Sequence, residues 1–308
     1  MGKILLKRYF ISFISLFWIL FVAFPLASRA QEKSQYLSLY VEEDERITQL
    51  KEILNEEVAP LERVVILNKL ALYNRFPNPL EGLKYAYKAL EYKNELGNDL
   101  NIAETYNIIA NIYFDQGKYS EALNHYTYSM EICALHEDNP RIAHNFNDIG
   151  YVYHKQEIYE LAIKNYQRAA KAFVVEENNA DLCVTYNNMG QSYLDMKNYV
   201  LAEDYFYKAL DIRIDFGDSI LIGHSYTYLG QLNQKMGNMD KALEIYDFCQ
   251  GVFSRHGDIW LEAYTYKYIG DLHYEEGYFD QALKNYNRAL VLFKEFNSKL
   301  DITNMLIS

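Results

Sequence analysis

Histidines are the residues best suited to acid–base or metal chemistry, and their densest group is His144, Asp148 and His154. His144 and Asp148 are four residues apart, so their side chains could touch on one helix. His154 lies about 15 Å from His144 along a helix axis that rises about 1.5 Å per residue. Because this distance is too long for one metal ion, the pattern indicates an ordinary polar helix face.

Other catalytic patterns do not occur in the sequence. It contains no phosphate-binding glycine loop, no His-Glu-x-x-His helix and no nucleophile elbow. An enzyme with a metal or acid–base site is therefore the least favoured of three functional hypotheses. We predict a protein without enzymatic activity, cofactor or metal.

The three cysteines, Cys133, Cys183 and Cys249, fit no zinc or redox spacing. Cys249 occupies a position that holds a small residue every forty residues, which predicts a buried, inert thiol. A disulfide between Cys133 and Cys183 remains an alternative. The net charge of -12 comes without a basic cluster, so the composition argues against a nucleic-acid partner.

A forty-residue repeat dominates the chain. It carries an aromatic residue, then a glycine or alanine four positions later, which we call the glycine slot, and then an alanine and a second aromatic residue. In order, these sets are Tyr106, Phe146, Tyr186, Tyr226 and Tyr266; Ala110, Gly150, Gly190, Gly230 and Gly270; Ala122, Ala162, Ala202, Ala242 and Ala282; and Tyr126, Tyr166, Phe206, Tyr246 and Tyr286. Such a period predicts an all-α solenoid of antiparallel helix pairs.

Each block reads as two helices. In block 142–181 the apolar spacing predicts a first helix from Ile142 to about Gln156 and a second from Tyr159 to Val175. Glycines such as Gly117, Gly237, Gly217 and Gly257 are expected to adopt the left-handed turn that follows a helix. We predict an N-terminal capping helix within 31–61. Six repeats follow, at 62–101 (degenerate), 102–141, 142–181, 182–221, 222–261 and 262–301.

The two ends of the chain differ from the repeats. Residues 1–30 combine basic Lys3, Lys7 and Arg8 with an apolar stretch and a small residue at Ala30, which predicts a signal peptide cleaved after Ala30. The protein would then be exported to the bacterial periplasm, or be membrane-anchored if the segment is uncleaved. Residues 302–308 are expected to begin a further, incomplete repeat. The chain would then be a truncated product or the front of a longer protein, and its open C-terminal end suggests self-association.

Together, the repeated Tyr-x-x-x-Gly-x-x-Tyr and Gly-x-Tyr-x-x-Ala patterns resemble the tetratricopeptide repeat (TPR). The resemblance covers about residues 62–308. The predicted signal peptide and the Phe76-Pro77-Asn78-Pro79 turn make the chain similar to one group in particular, the exported TPR sensor regions of Bacteroidetes-type two-component histidine kinases and regulators. That resemblance implies a TPR superhelix.

In TPR proteins the first helices line a concave groove. The resemblance implies that the residues facing this groove are those three positions before, one position after and four positions after the glycine slot. The positions expected in a peptide-binding groove are Asn107, Asn111, Asn147, Tyr151, His154, Asn187, Gln191, Thr227, Gln231, Lys267 and Asp271. Amides can donate and accept, so they can pair with the backbone of an extended peptide. A tolerated polar surface is the alternative explanation.

We therefore predict a non-enzymatic, exported scaffold that binds a peptide or protein in this groove. The alternative is the N-terminal sensor part of a membrane two-component histidine kinase or transcription regulator, with a membrane-attached signalling partner.

Overall fold

The computed structural model describes residues 46–97 and 99–305, with side chains placed as far as Phe296. The described residues form only helices and turns, which confirms the all-α prediction. The helices are α1 (46–55), α2 (Pro60–Tyr73), α3 (Pro79–Leu90), α4 (Lys93–Leu96), α5 (Leu100–Asp115), α6 (Tyr119–Leu135), α7 (Asn139–Lys155), α8 (Tyr159–Val175), α9 (Asn179–Asp195), α10 (Tyr199–Phe216), α11 (Ser219–Lys235), α12 (Met239–His256), α13 (Ile259–Glu275) and α14 (Phe279–Met305).

From α5 onwards the helices form consecutive antiparallel pairs, in which each first helix packs on its own second helix and on that of the preceding unit. We call the odd-numbered members α5 to α13 the first helices. The signal segment and residues 31–45 lie outside the described residues. None of the described helices is both long and apolar enough to span a lipid bilayer.

Side-chain caps determine where the first helices begin. Helix α7 starts at Asn139 rather than at the predicted Ile142, because the Asp138 carboxylate accepts a hydrogen bond from the backbone N–H of Arg141. Asn178 and Asp258 cap α9 and α13 in the same way. The second helix of this unit, Tyr159–Val175, has the predicted bounds.

The turns confirm the predicted role of glycine. Gly117, Gly217, Gly237 and Gly257 all have φ between 72° and 78°, a region open to glycine without steric cost. Four turns use other residues in the same left-handed conformation: Glu137, Glu157, Glu177 and Lys197. The repeat therefore also accepts a residue with a side chain at this left-handed position of the turn.

The glycine slot accommodates an aromatic ring from the second helix. A Cβ atom built on Gly150 or Gly270 would lie 2.7 Å from the ring of Tyr166 or Tyr286, and one on Gly190 would lie 2.5 Å from Phe206. Gly230 lies equally tightly against Tyr246. Since normal Cβ contacts are much longer, the period-40 glycine and aromatic residue form one packing unit.

Residues 302–305 do not begin a separate helix, contrary to the expectation of a further, incomplete repeat. Helix α14 continues without a break to Met305, so residues 302–305 extend the last second helix instead of starting a new first helix. The preceding units end this helix at Gly217 and Gly257, whereas Asn297 stands at the equivalent position. All three cysteines are buried and free, so the alternative disulfide between Cys133 and Cys183 is not formed.

Candidate functional site

The positions one and four residues after the glycine slot face a shared pocket of about 300 Å³ in the C-terminal half. Helices α9, α11 and α13 each contribute two of these residues: Gln191 and Leu194, Gln231 and Gln234, and Asp271 and Tyr274. Lys235, Tyr268, Glu275 and Tyr286 complete the lining. The predicted groove positions of three successive units are therefore brought together.

The positions three before the glycine slot behave differently, because they join neighbouring first helices. Asn107 Nδ2 donates to Asn145 Oδ1 at 3.0 Å and lies 3.4 Å from Asp148 Oδ2. One unit later, Asn147 Oδ1 accepts from Thr185 Oγ1 and Asn188 Nδ2, both at 3.2 Å. We call this arrangement the polar ladder. Its amides are largely occupied by contacts within the protein.

The polar ladder ends at Asn187, which is 2% exposed. Neither amide atom of Asn187 has a hydrogen-bond partner among the described residues. The equivalent partners one unit later are Ser225, which accepts from Arg213, and Tyr228, which stacks on Phe206 at 5.3 Å. Because α11 has Ser225 and Tyr228 at these two positions, the Asn187 amide has no hydrogen-bond partner among the described residues, which is costly for a buried polar group.

The expectation that all these positions are exposed is wrong for Asn187 and Thr227, which are buried. Thr227 Oγ1 donates to the carbonyl of His224 in its own helix. Lys267, at the same position in the last unit, is exposed and donates to Asp271 at 2.7 Å. The predicted residues three positions before the glycine slot therefore contribute packing and ion pairing more than free hydrogen-bond donors.

In the N-terminal half, the groove is aromatic. Tyr151 is 38% exposed, and its ring centroid lies 5.1 Å from that of Phe114 and 6.2 Å from that of His154. Asn111 is tied at both ends, since its Nδ2 donates to Asn107 and its Oδ1 accepts from Tyr126 Oη. This surface offers ring faces more than free amides.

His154 links two first helices. Its Nδ1 lies 2.9 Å from Ser192 Oγ, and its Nε2 lies 3.4 Å from Asp195 Oδ2. Burial lowers the pKa of His154, and the Asp195 carboxylate partly opposes that shift. His144 instead lies 3.5 Å from Asp181, so the His144, Asp148 and His154 group does not converge. Within the described residues, no group of three potential ligands could hold a metal ion.

Asp148 carries the most perturbed carboxyl of the polar ladder. Burial raises its pKa from 3.8 to about 6, while the hydrogen bond from Asn107 and the nearby His144 oppose the shift. The equivalent residue one unit later is Asn188, a neutral group with the same acceptor oxygen. Asp148 therefore serves the ladder as an acceptor whose charge is unfavourable.

A chain of hydrogen bonds organises the floor of the 300 Å³ pocket. Tyr246 Oη donates to Gln234 Oε1 at 3.1 Å, and Gln234 Nε2 donates to Glu275 Oε2 at 2.9 Å. Burial raises the pKa of Tyr246, so its phenol remains a donor. With its oxygen occupied by Tyr246, the Gln234 amide must direct its N–H groups at Glu275.

Asp271 is the second carboxylate of the pocket. Its Oδ1 accepts from Tyr286 Oη at 2.8 Å, and its Oδ2 accepts from Lys267 Nζ at 2.7 Å. Burial and the adjacent Asp271 carboxylate raise the pKa of Tyr286 to about 12. The Tyr286 phenol therefore stays neutral and, from the second helix α14, holds the Asp271 carboxylate of α13 in place.

Three lining residues were missed by the sequence analysis, namely Lys235, Glu275 and Tyr286, whereas Tyr268 stands out in the sequence as a tyrosine outside the repeated packing positions. Tyr286 was assigned to packing, and its hydroxyl reaches the groove past Gly270 because that slot has no side chain. Lys235 and Glu275 are five residues after the slot, and Tyr268 is two before it. These positions flank the predicted ones on the same helices, which was the available signal.

Comparison with known proteins agrees with this architecture. The tetratricopeptide repeat family matches residues 101–173, 141–215 and 181–247. None of the curated proteins matches the chain in sequence.

Several solved structures share the fold. The apo form of RapI is 17% identical, with a TM-score of 0.65 over 87% of this chain and 99% of that chain. A Rap protein complexed with Competence and Sporulation Factor is 16% identical, with a TM-score of 0.65 over 90% of this chain and 79% of that one. A STAND protein with a tetratricopeptide repeat sensor from Pyrococcus horikoshii is 19% identical, with a TM-score of 0.64 over 90% of this chain and 44% of that one.

At these identities the structures show a common fold alone. The family match shows tetratricopeptide repeats over residues 101–247, and the helix pairs and the solved structures place them in a TPR-like α-solenoid.

Proposed function

We propose that the protein is a non-enzymatic scaffold that binds an extended peptide segment in the groove of its first helices. The observation that carries the proposal is the 300 Å³ pocket, in which three successive units present residues from equivalent positions. A ligand spanning this pocket would contact each unit in turn, as an extended chain does. The Rap protein complexed with Competence and Sporulation Factor supports a solenoid of this shape as a binding scaffold.

The chemistry of the groove fits such a ligand. Gln191 and Gln231 offer amides for a peptide backbone, and Leu194 and Tyr274 offer apolar surface for side chains. Tyr274 is 60% exposed, so its ring can be covered by a partner. Aromatic residues at such positions commonly contribute much of the binding energy.

The test is selection of peptides from a random heptapeptide library displayed on phage, using the purified protein as target. The affinity of the selected peptides, made synthetically, is measured by fluorescence anisotropy. Replacing Tyr274 or Gln231 by alanine should weaken binding about tenfold, about 1.4 kcal/mol. The matched control is Tyr128→Ala, an exposed tyrosine on the second helix α6. Equal losses in all three variants, or no selected peptide, would reject the groove.

We also propose export, on the basis of residues 1–30, which lie outside the described residues. The mass of the protein recovered from the periplasm of an expressing bacterium should correspond to a chain starting at Gln31. A full-length mass in the membrane fraction would indicate an uncleaved anchor, and a full-length mass in the cytoplasm would reject export.

A sensor part of a membrane signalling protein is the second candidate function. The STAND protein, which carries a tetratricopeptide repeat sensor, supports the use of this fold in sensing. The coding sequence that follows codon 308 in the genome provides the test. A frame with a membrane helix and kinase motifs would support this role, whereas an unrelated gene would contradict it.

A further inference from the structure

The pocket in the groove contains two acceptor oxygens that receive no hydrogen bond from the described residues. Glu275 uses Oε2 to accept from Gln234, and no described residue donates to its Oε1. Gln191 donates through Nε2 to Asp195 at 3.2 Å, and its amide oxygen receives no hydrogen bond from any described residue. Two fixed acceptors therefore face a pocket that a ligand would enter.

Aromatic rings provide the walls of the same pocket. Tyr268, Tyr274 and Tyr286 line it, and the pKa of Tyr268 and of Tyr286 is raised to about 12 by burial and nearby acidic groups. Neutral phenol rings attract cations to their faces. Lys267 already makes this contact, since its Nζ lies 5.7 Å from the ring centroid of Tyr268.

Among the described residues, Glu275 is the carboxylate of the pocket that makes no ion pair. Asp271 and Glu275 are lining carboxylates, and the lining cation is Lys235, at the exposed end of α11. Lys267 is committed to Asp271 at 2.7 Å. The whole chain has a net charge of -12, so its long-range field attracts cations and repels anions.

We infer that this pocket binds an arginine side chain of the peptide ligand, with Glu275 as the main acceptor and the tyrosine rings stacked on the guanidinium. The inference rests on the proposed function. A guanidinium suits the pocket because it is planar, presents several N–H donors and packs on aromatic faces. A volume of about 300 Å³ accommodates one long side chain. Lys267 competes with the ligand for the ring of Tyr268, and by pairing with Asp271 it neutralises the second carboxylate of the pocket.

The experiment uses three pools of fluorescein-labelled, acetylated and amidated random heptapeptides. Their central residue is arginine, citrulline or glutamate; citrulline has the shape of arginine without its charge. Anisotropy titrations with the full chain should show the arginine pool binding about tenfold more tightly than the citrulline pool, as expected for a charge-assisted contact.

Variants test the residues in opposite directions. Glu275→Gln should reduce the arginine-over-citrulline ratio to about one third or less, whereas Lys267→Met should increase it, because the competing cation is gone. The matched control is Glu160→Gln, an exposed carboxylate on the second helix α8, which should leave the ratio unchanged. Since Glu275 and Lys267 are both exposed, neither change should unfold the protein.

The outcomes separate the two proposals. If no pool binds, the groove function itself is wrong. If the three pools bind equally, the groove function stands and the arginine pocket is rejected. Preference for the glutamate pool, strengthened by Glu275→Gln, would reverse the sign of the inference.

Discussion

At the scale of single residues, the polar ladder places an ionisable group where its charge is unfavourable. Asp148 accepts from Asn107 between two first helices, and burial raises its pKa to about 6. The folded state therefore holds the proton more tightly than the unfolded state, in which the pKa is near 3.8. The stability that comes from the protonated carboxyl is fully present below about pH 4 and is lost as the pH rises to about 6. Above that pH the ionised carboxylate destabilises the folded state.

Asp148→Asn should accordingly stabilise the protein at pH 8 by about 1–3 kcal/mol, because asparagine keeps the acceptor oxygen without the charge. Near pH 3.5, where Asp148 is protonated in the folded state and mostly protonated in the unfolded state, the two proteins should differ little. Urea denaturation at both pH values measures the free energies of unfolding. An equal gain at the two pH values would mean that packing, and not ionisation, is responsible.

At the scale of helices, the glycine slot decides how closely the two helices of a unit pack. Gly230 lies against the ring of Tyr246, which is held in place by its hydrogen bond to Gln234 and by stacking on Tyr268 at 5.5 Å. The ring cannot shift without losing these contacts. The unit 102–141 has Ala110 at this slot, and there Tyr126 donates to Asn111 instead.

Gly230→Ala should therefore destabilise the protein by about 1–3 kcal/mol, since the added methyl overpacks the helix pair. The matched control is Gly251→Ala in α12, where a Cβ would meet no heavy atom closer than 3.9 Å. That change should stabilise the protein by up to about 1 kcal/mol, because alanine is the better helix former. Urea denaturation of both variants gives the comparison, and a stable Gly230→Ala protein would contradict the assigned packing.

At the scale of the whole molecule, stability is distributed between neighbouring units. Leu210 is 1% exposed and belongs to one buried cluster with Leu194, Phe206 and Leu229, so it joins α10 to its own first helix α9 and to α11 of the next unit. Leu290 stands at the same repeat position in the last helix, where it is 48% exposed. In a solenoid the cost of a substitution is expected to fall on adjacent units first.

Leu210→Ala should lower the free energy of unfolding by about 2–4 kcal/mol. Hydrogen exchange measured by mass spectrometry should show lost protection in α9 to α11 before α2 or α5. Leu290→Ala, the matched control, should cost less than about 1 kcal/mol, because little surface is buried there. A uniform loss of protection from Leu210→Ala would instead indicate one cooperative unit.

Parts of the site were predictable because the repeat places equivalent residues on equivalent surfaces. Gln191, Gln231 and Asp271 were expected to share a groove, and they line one pocket. Asn187 and Thr227 were expected on the same surface and are buried instead. For Asn147, at the equivalent position, the contacting residues lie 38 and 41 positions later in the next first helix, and a pattern within one repeat does not include them.

The sequence by itself determined the helix pairs, the glycine turns and the aromatic packing of the solenoid, because these depend on contacts within one forty-residue period. Only the tertiary structure decided which polar residues are available to a ligand. Asn107 and Asn147 are occupied by the next unit, whereas Glu275, which has no place in the repeat pattern, is fixed by Gln234 and open to the pocket. Hydrogen bonds between units depend on the particular residue at each position of both helices, and the repeat leaves those positions variable.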